Sequence, residues 1–190
     1  MIAREIVIDT ETTGLDPLNG DRIVEIGAVE LVNRSVTGQT YHCYLCAERS
    51  VPADALAVHG LSAEFLADKP VFGAVADDFL LFVGHVPLVA HNAGFDIAFL
   101  NAELKRAGKP PIATERVIDT LVLARRKHAG GLTLDGLCSR YGVDRSQHTQ
   151  HAAARRRVYW PRRMSSWSAS AKRRCSLSRS RQVRLTFGRS

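Results

Sequence analysis

An apolar run, Ile6-Val7-Ile8, closes on Asp9, and a turn-rich stretch with Pro17, Asn19 and Gly20 follows over 14–21. The pair predicts a strand running into a loop. Residues 22–32 form a second apolar run and 37–45 a third strand, with no helical spacing between them. Three strands joined by short turns predict an antiparallel meander at one side of a sheet. Residues 52–67 then read as short helical pieces around the dipeptide His59-Gly60. From 71 to 82 the apolar residues Val71, Phe72, Val75, Phe79, Leu80 and Phe82 recur at spacings of three and four, which predicts an amphipathic helix. A short strand at 87–90 precedes a helix over 95–107, with a stripe of Phe95, Phe99, Ala102 and Leu100 or Leu104, stopped by Gly108 and Pro110-Pro111. Residues 117–123 are a strand or a helix start, and 132–141 a short helix ending at Gly142. Strands in front and alternation behind predict one α/β domain, a mixed sheet with helices on both faces.

Composition changes this picture at one place. The chain has 190 residues, 45% of them apolar, enough for a single domain with its own core. Its net charge of +7 suggests a nucleic-acid partner until it is divided. Residues 1–151 carry all 19 acidic residues against 14 basic ones, a net of −5, whereas residues 152–190 carry 12 basic residues and no acid. That tail has eight serines and only five residues from Leu, Ile, Val and Phe, far too few for a core. The expected organisation is therefore a domain over 1–151 and a basic, unstructured tail over 152–190. No apolar stretch approaches the roughly 18 residues of a membrane span and no signal segment opens the chain, so a cytoplasmic, reduced protein is expected. Cys43 and Cys46 form a C-x-x-C in a strand-like run with no second pair beside it, which argues against structural zinc.

The chemistry-bearing residues collect at strand ends. Asp9 and Glu11 stand at i and i+2 on one strand, so they share a face. Paired carboxylates repel unless a cation lies between them, which suits a divalent ion with oxygen ligands. The plainer alternative has Asp9 capping the turn and Glu11 solvated. Asp96 follows His91-Asn92-Ala93-Gly94-Phe95, where a strand gives way to a helix. It is either a helix-start carboxylate or part of a site at the strand ends. Two ions roughly 3.5–4 Å apart can activate water and steady the leaving oxygen of a phosphodiester. Such a site needs about four carboxylates and a base, and His148 and His151 are candidates for the base.

Five motifs in order carry a resemblance: Asp9-Thr10-Glu11-Thr12-Thr13-Gly14-Leu15, Asp21-Arg22-Ile23-Val24-Glu25-Ile26-Gly27, His59-Gly60-Leu61, His91-Asn92-x-x-Phe95-Asp96, and Leu134-Asp135-x-Leu137-Cys138-x-x-Tyr141-Gly142. Over about residues 4–151 the chain resembles the DEDDh group of 3′ to 5′ exonucleases, and within it the epsilon-type proofreading subunits of bacterial DNA polymerase III. The resemblance implies an RNase H-like fold with a mixed five-stranded sheet. It implies two ions, Mg²⁺ or Mn²⁺, and release of deoxynucleoside 5′-monophosphates from a single-stranded 3′ end of DNA. Its implied partners are a polymerising alpha subunit and a small theta-like subunit. On the matching positions, Asp9, Glu11 and Asp96 are metal carboxylates and His151 the general base. Thr10, Thr12 and Thr13 face the terminal nucleotide, His59 lies near its base or sugar, and His91 and Asn92 orient Asp96 or a phosphate. Asp119 supports the sheet edge.

The chain departs from that pattern just past His151. The family's fourth carboxylate falls five residues after the base, where this chain has Arg156 in the run Ala152-Ala153-Ala154-Arg155-Arg156-Arg157. Ala153 to Arg157 can be encoded so that reading one base later gives Leu-Leu-Asp-Ala-Glu, the family's continuation. A shifted reading frame accounts for a tail rich in Arg, Ala and Ser better than an evolved basic arm does. Two further readings stand beside the exonuclease: a scaffold subunit silenced by Arg156, and a related nuclease acting on RNA or short oligonucleotides.

Overall fold

The computed structural model describes residues 3–128 and residues 136, 137 and 140. The helix expected over 132–141 falls largely outside them, and His148, His151, Arg156 and the tail do so entirely. Strand β1 (Arg4–Thr12) pairs antiparallel with β2 (Ile23–Val32), and β2 antiparallel with β3 (Ser35–Tyr44). This is the expected meander. Helices α1 (Ala53–His59) and α2 (Ala63–Leu66) follow, then α3 (Phe72–Val83). The chain returns through β4 (Leu88–Ala90), α4 (Ala93–Arg106), β5 (Val117–Asp119) and α5 (Thr120–Arg125). Both β4 and β5 run parallel to β1, giving a five-stranded mixed sheet in the order β3-β2-β1-β4-β5.

Strand alternation divides the core. Ile6 and Ile8 of β1, Ile26 and Ala28 of β2 and Leu88 and Ala90 of β4 point to one face, where Phe72, Ala76, Phe79 and Val83 of α3 and Ile97, Leu100 and Leu104 of α4 cover them. Val7, Leu31 and Val89 point to the other face. A bulge between the pairs Glu11–Glu25 and Thr12–Ile23 leaves Val24 out of the β1 register, and Val24 packs in a third cluster with Ala47, Leu61 and Leu66. The bulge bends β2 at the end of β1 where the carboxylates stand.

The α4 stripe differs from the one expected. Its buried positions are Ala93, Asp96, Ile97, Phe99, Leu100, Glu103 and Leu104, while Phe95 and Ala102 are only half-buried. Two carboxylates therefore lie on the covered side of the helix. Each has a partner: Arg22 grips Glu103 with Nε at 2.7 Å and Nη2 at 3.1 Å, and Asp96 meets Thr10. A two-pronged guanidinium–carboxylate pair tolerates burial that a lone carboxylate would not.

Candidate active site

The placement of Asp96 follows from where β4 stops. Even-numbered N–H groups of β1 face β4, as shown by Ile6, whose amide donates to the Pro87 carbonyl at 3.0 Å. Strand β4 pairs with β1 only at Ile6 and Val7 and ends at Ala90, so the Thr10 amide emerges beyond its last residue. Asp96 takes the place of the missing strand. Its Oδ1 accepts from the Thr10 amide at 3.0 Å and the Thr10 hydroxyl at 2.8 Å. The side chain thus sits in the row of the sheet, 5% exposed, next to the strand that carries Asp9 and Glu11. Burial pushes its carboxyl up to about 6, the Thr10 bonds oppose that rise, and the charge of Asp119 adds to it.

Asp9 and Glu11 lie opposite Gly27 and Glu25 on β2, on the sheet face of Val7. They share that face as the spacing predicts, and both are half-buried. Glu25, directly across from Glu11, is buried and bonded to His42 Nε2 at 2.8 Å. Among the described residues, no three His, Cys, Asp or Glu side chains form a group that could hold a metal ion. The base position His151 and position 156 lie outside those residues.

The turn that launches α4 is fixed from β5. Asn92 has φ +60°, a left-handed conformation that reverses the chain between β4 and α4, and its amide donates to Asp119 Oδ1 at 3.1 Å. The same oxygen caps α5 by accepting from Leu121 at 2.8 Å and Val122 at 3.4 Å. Asp119→Ala is expected to lower stability by about 1–2 kcal/mol in denaturant unfolding, the usual cost of a lost cap. Asp119→Asn, which keeps an acceptor, should lose less; equal losses would mean that the charge and not the cap matters.

The other expected residues fall into two groups. The Thr120 hydroxyl donates to the Ala90 carbonyl at 3.0 Å, so His91 Nδ1, 3.2 Å from that hydroxyl, must carry the proton it donates. Burial holds the His91 imidazole below the ordinary histidine value. His59, buried at the end of α1, accepts the Leu61 amide at Nδ1 at 3.0 Å, which places its proton on Nε2. Gly60, with φ +73°, makes that tight exit from the helix. The Thr10 hydroxyl is turned inward to Asp96. Thr13 is wholly buried, its hydroxyl donating to Asp21 at 3.2 Å and accepting from the Arg22 amide at 3.0 Å. The Thr12 hydroxyl donates to the Gly14 carbonyl at 2.6 Å. These threonines shape the loop through their side chains, and the Thr10 and Thr13 amides are engaged as well, by Asp96 Oδ1 and by the Arg22 carbonyl at 2.9 Å.

A mixed five-stranded sheet flanked by helices, with carboxylates at the end of its central strand, is the RNase H-like arrangement. The chain belongs to the RNase_T exonuclease family, whose model matches residues 6–155. Its relatives include DNA polymerase III subunit epsilon of Rickettsia felis, 53% identical over 154 residues, covering 79% of this chain and 67% of that protein. The same subunit of Escherichia coli is 46% identical over 160 residues, covering 80% and 66%. The chain therefore spans about two thirds of the length of these relatives. Its fold matches exonuclease X in complex with 5′ overhanging duplex DNA, with a TM-score of 0.66 at 23% identity over 90% of this chain and 93% of that one.

Proposed function

We propose that this chain is an epsilon-type proofreading exonuclease, which removes deoxynucleoside 5′-monophosphates from a single-stranded 3′ end of DNA. The observation that carries the reading is Asp96 seated in the gap beyond β4, bonded to the residue between Asp9 and Glu11. Exonucleases of this kind use two divalent ions, and the donor chemistry fits them. The three carboxylates offer only hard oxygen ligands, and burial penalises the charge of Asp96 in a way that a neighbouring cation would relieve. Asp9, Glu11 and Asp96, which do not stand as one three-residue metal group among the described residues, would have to come together on the ions. Bound there, Mg²⁺ or Mn²⁺ acidifies water and neutralises charge on the phosphate.

The remaining work belongs to the protein. His151 accepts the proton of the attacking water at an imidazole nitrogen, the water oxygen bonds to phosphorus, and the bond from phosphorus to the 3′ oxygen of the preceding nucleotide breaks. His59 would act from beneath the surface, holding the exit of α1 beside the terminal nucleotide. The backbone of Thr10, Thr12 and Thr13 lines the same end, and His91 and Asn92 set the turn that aims Asp96. A mispaired end is preferred because an unpaired base costs less to extract. The partners would be a polymerising alpha subunit and a small theta-like subunit. Among the described residues no helix is long and apolar enough to cross a membrane; a cytoplasmic location would follow from the exonuclease reading.

Hydrolysis of a 5′-labelled single strand with Mn²⁺ tests the reading. Stepwise shortening from a free 3′ hydroxyl, with mononucleotides as product, is expected. Cleavage at internal positions would overturn it, and faster loss of the RNA strand of the same sequence would favour an RNA substrate.

A further inference from the structure

The loop after Glu11 is more heavily tied down than a surface loop needs to be. Asp21 is its hub. One oxygen of its carboxylate takes the Thr13 hydroxyl at 3.2 Å and Arg49 Nη1 at 3.0 Å, and the other takes the Asp16 amide at 3.1 Å. The Asp21 amide returns to the Asp16 carbonyl at 3.3 Å. Gly14 lies so close to this carboxylate that a Cβ there would collide with it, which accounts for a glycine at a position with no positive φ. The next residue, Arg22, reaches the other way and grips Glu103 on α4, the helix that carries Asp96. Arg106 of α4 closes the circuit by donating to the Pro17 carbonyl at 3.1 Å.

The loop so fixed carries little core. Leu15 and Leu18 are 85% and 91% exposed, and none of the 3-10 turn Pro17–Asn19 is buried. Bonds that hold a segment rigid without burying it serve its outward face. We infer that Asp21, clamped by Arg49, is a positioning residue for the 3′-terminal nucleotide: it holds the loop over 12–20 at the rim of the site, so that the end of the strand meets a preformed surface. The inference rests on the exonuclease reading above. It adds residues that touch neither the ions nor the reacting phosphate and act on affinity for the strand end.

Fluorescence anisotropy of a 5′-labelled single strand in Ca²⁺, with a free 3′ hydroxyl or a 3′ phosphate, separates the two ideas. The unaltered chain should favour the free end. If it shows no such preference, the exonuclease reading fails and the clamp falls with it. Given that preference, Asp21→Asn and Arg49→Gln should each weaken end binding by roughly fivefold, the scale of a partly exposed ion pair. The double variant should be no weaker than either single one, because the two residues act as one unit. Arg49→Lys keeps the charge and should bind within about twofold of the unaltered chain. Unchanged affinity in Arg49→Gln overturns the inference, and that variant decides the matter if Asp21→Asn fails to fold. Loss of affinity that follows the thermal midpoint in every variant, with no rescue by lysine, also overturns it.

Discussion

Replacing the residues after His151 by the family's Leu-Leu-Asp-Ala-Glu continuation is expected to raise the rate of mononucleotide release by at least about 100-fold, or roughly 3 kcal/mol in transition-state stabilisation. The family match ends at residue 155, one position before Arg156. There the pattern asks for the fourth carboxylate. Losing a partner of a metal ligand costs about 10- to 100-fold, and losing a ligand itself costs more. An arginine adds to that loss, since it brings a cation where a cation is meant to bind. Arg156→Asp alone should recover only part of the rate, because the segment that aims His151 would still lack the Leu-Leu pair that the shifted frame supplies. The three forms are compared on one labelled single strand with Mn²⁺. Equal rates would remove the fourth ligand from the mechanism, and inactivity of all three would favour the scaffold reading.

The second large effect concerns stability. Asp96→Asn should make the metal-free protein more stable than the unaltered chain above pH 6, by about 2–3 kcal/mol in urea unfolding with EDTA present. The folded chain raises the Asp96 carboxyl from 3.8 to about 6, so it binds that proton more tightly than the unfolded chain does. The stabilisation from the protonated form is complete below about pH 4 and is lost as pH rises from there through 6. Asparagine carries no charge at any of these values. Its side-chain oxygen can still accept from the amide and hydroxyl of Thr10. The advantage of the variant should therefore vanish near pH 4. Added Mg²⁺ should stabilise the unaltered chain and leave the variant almost unmoved. An asparagine variant that is less stable at pH 4 and pH 8 alike would mean that the carboxylate charge is already compensated without metal.

Much of the fold was legible because its core obeys simple periods. Ile6 and Ile8 alternate with Val7, and Phe72, Ala76, Phe79 and Val83 recur at helical spacing. The α4 stripe was harder to read, because acids are ordinarily taken as exposed. Asp96 and Glu103 are buried by partners 86 and 81 residues away in the chain, which no local window can see. Residues 117–123 were ambiguous for a different reason: Asp119 both ends β5 and caps α5, so strand and helix meet there without a loop. That Asp9 and Glu11 share a sheet face and that Asp96 stands in the first turn of a helix was legible from spacing and motif. Their orientation was not. Sequence makes three equivalent hydroxyls of Thr10, Thr12 and Thr13, whereas each in fact serves a different internal bond. Asp21 opened one of the motifs that carry the resemblance, but nothing in its neighbourhood distinguishes a hub from an ordinary turn aspartate.

The gap beyond β4 also bears on the order of assembly. Strands β1 to β3 follow one another, joined by the loop over 13–22 and the tight turn over 33–34, and can pair early, whereas β4, β5 and α4 must be brought back from far along the chain. Asp9 and Glu11 belong to the early part and Asp96 to the late one. A half-folded chain thus holds Asp9 and Glu11 without Asp96. On the exonuclease reading, the three carboxylates are brought to one end of the sheet only when the tertiary structure is complete.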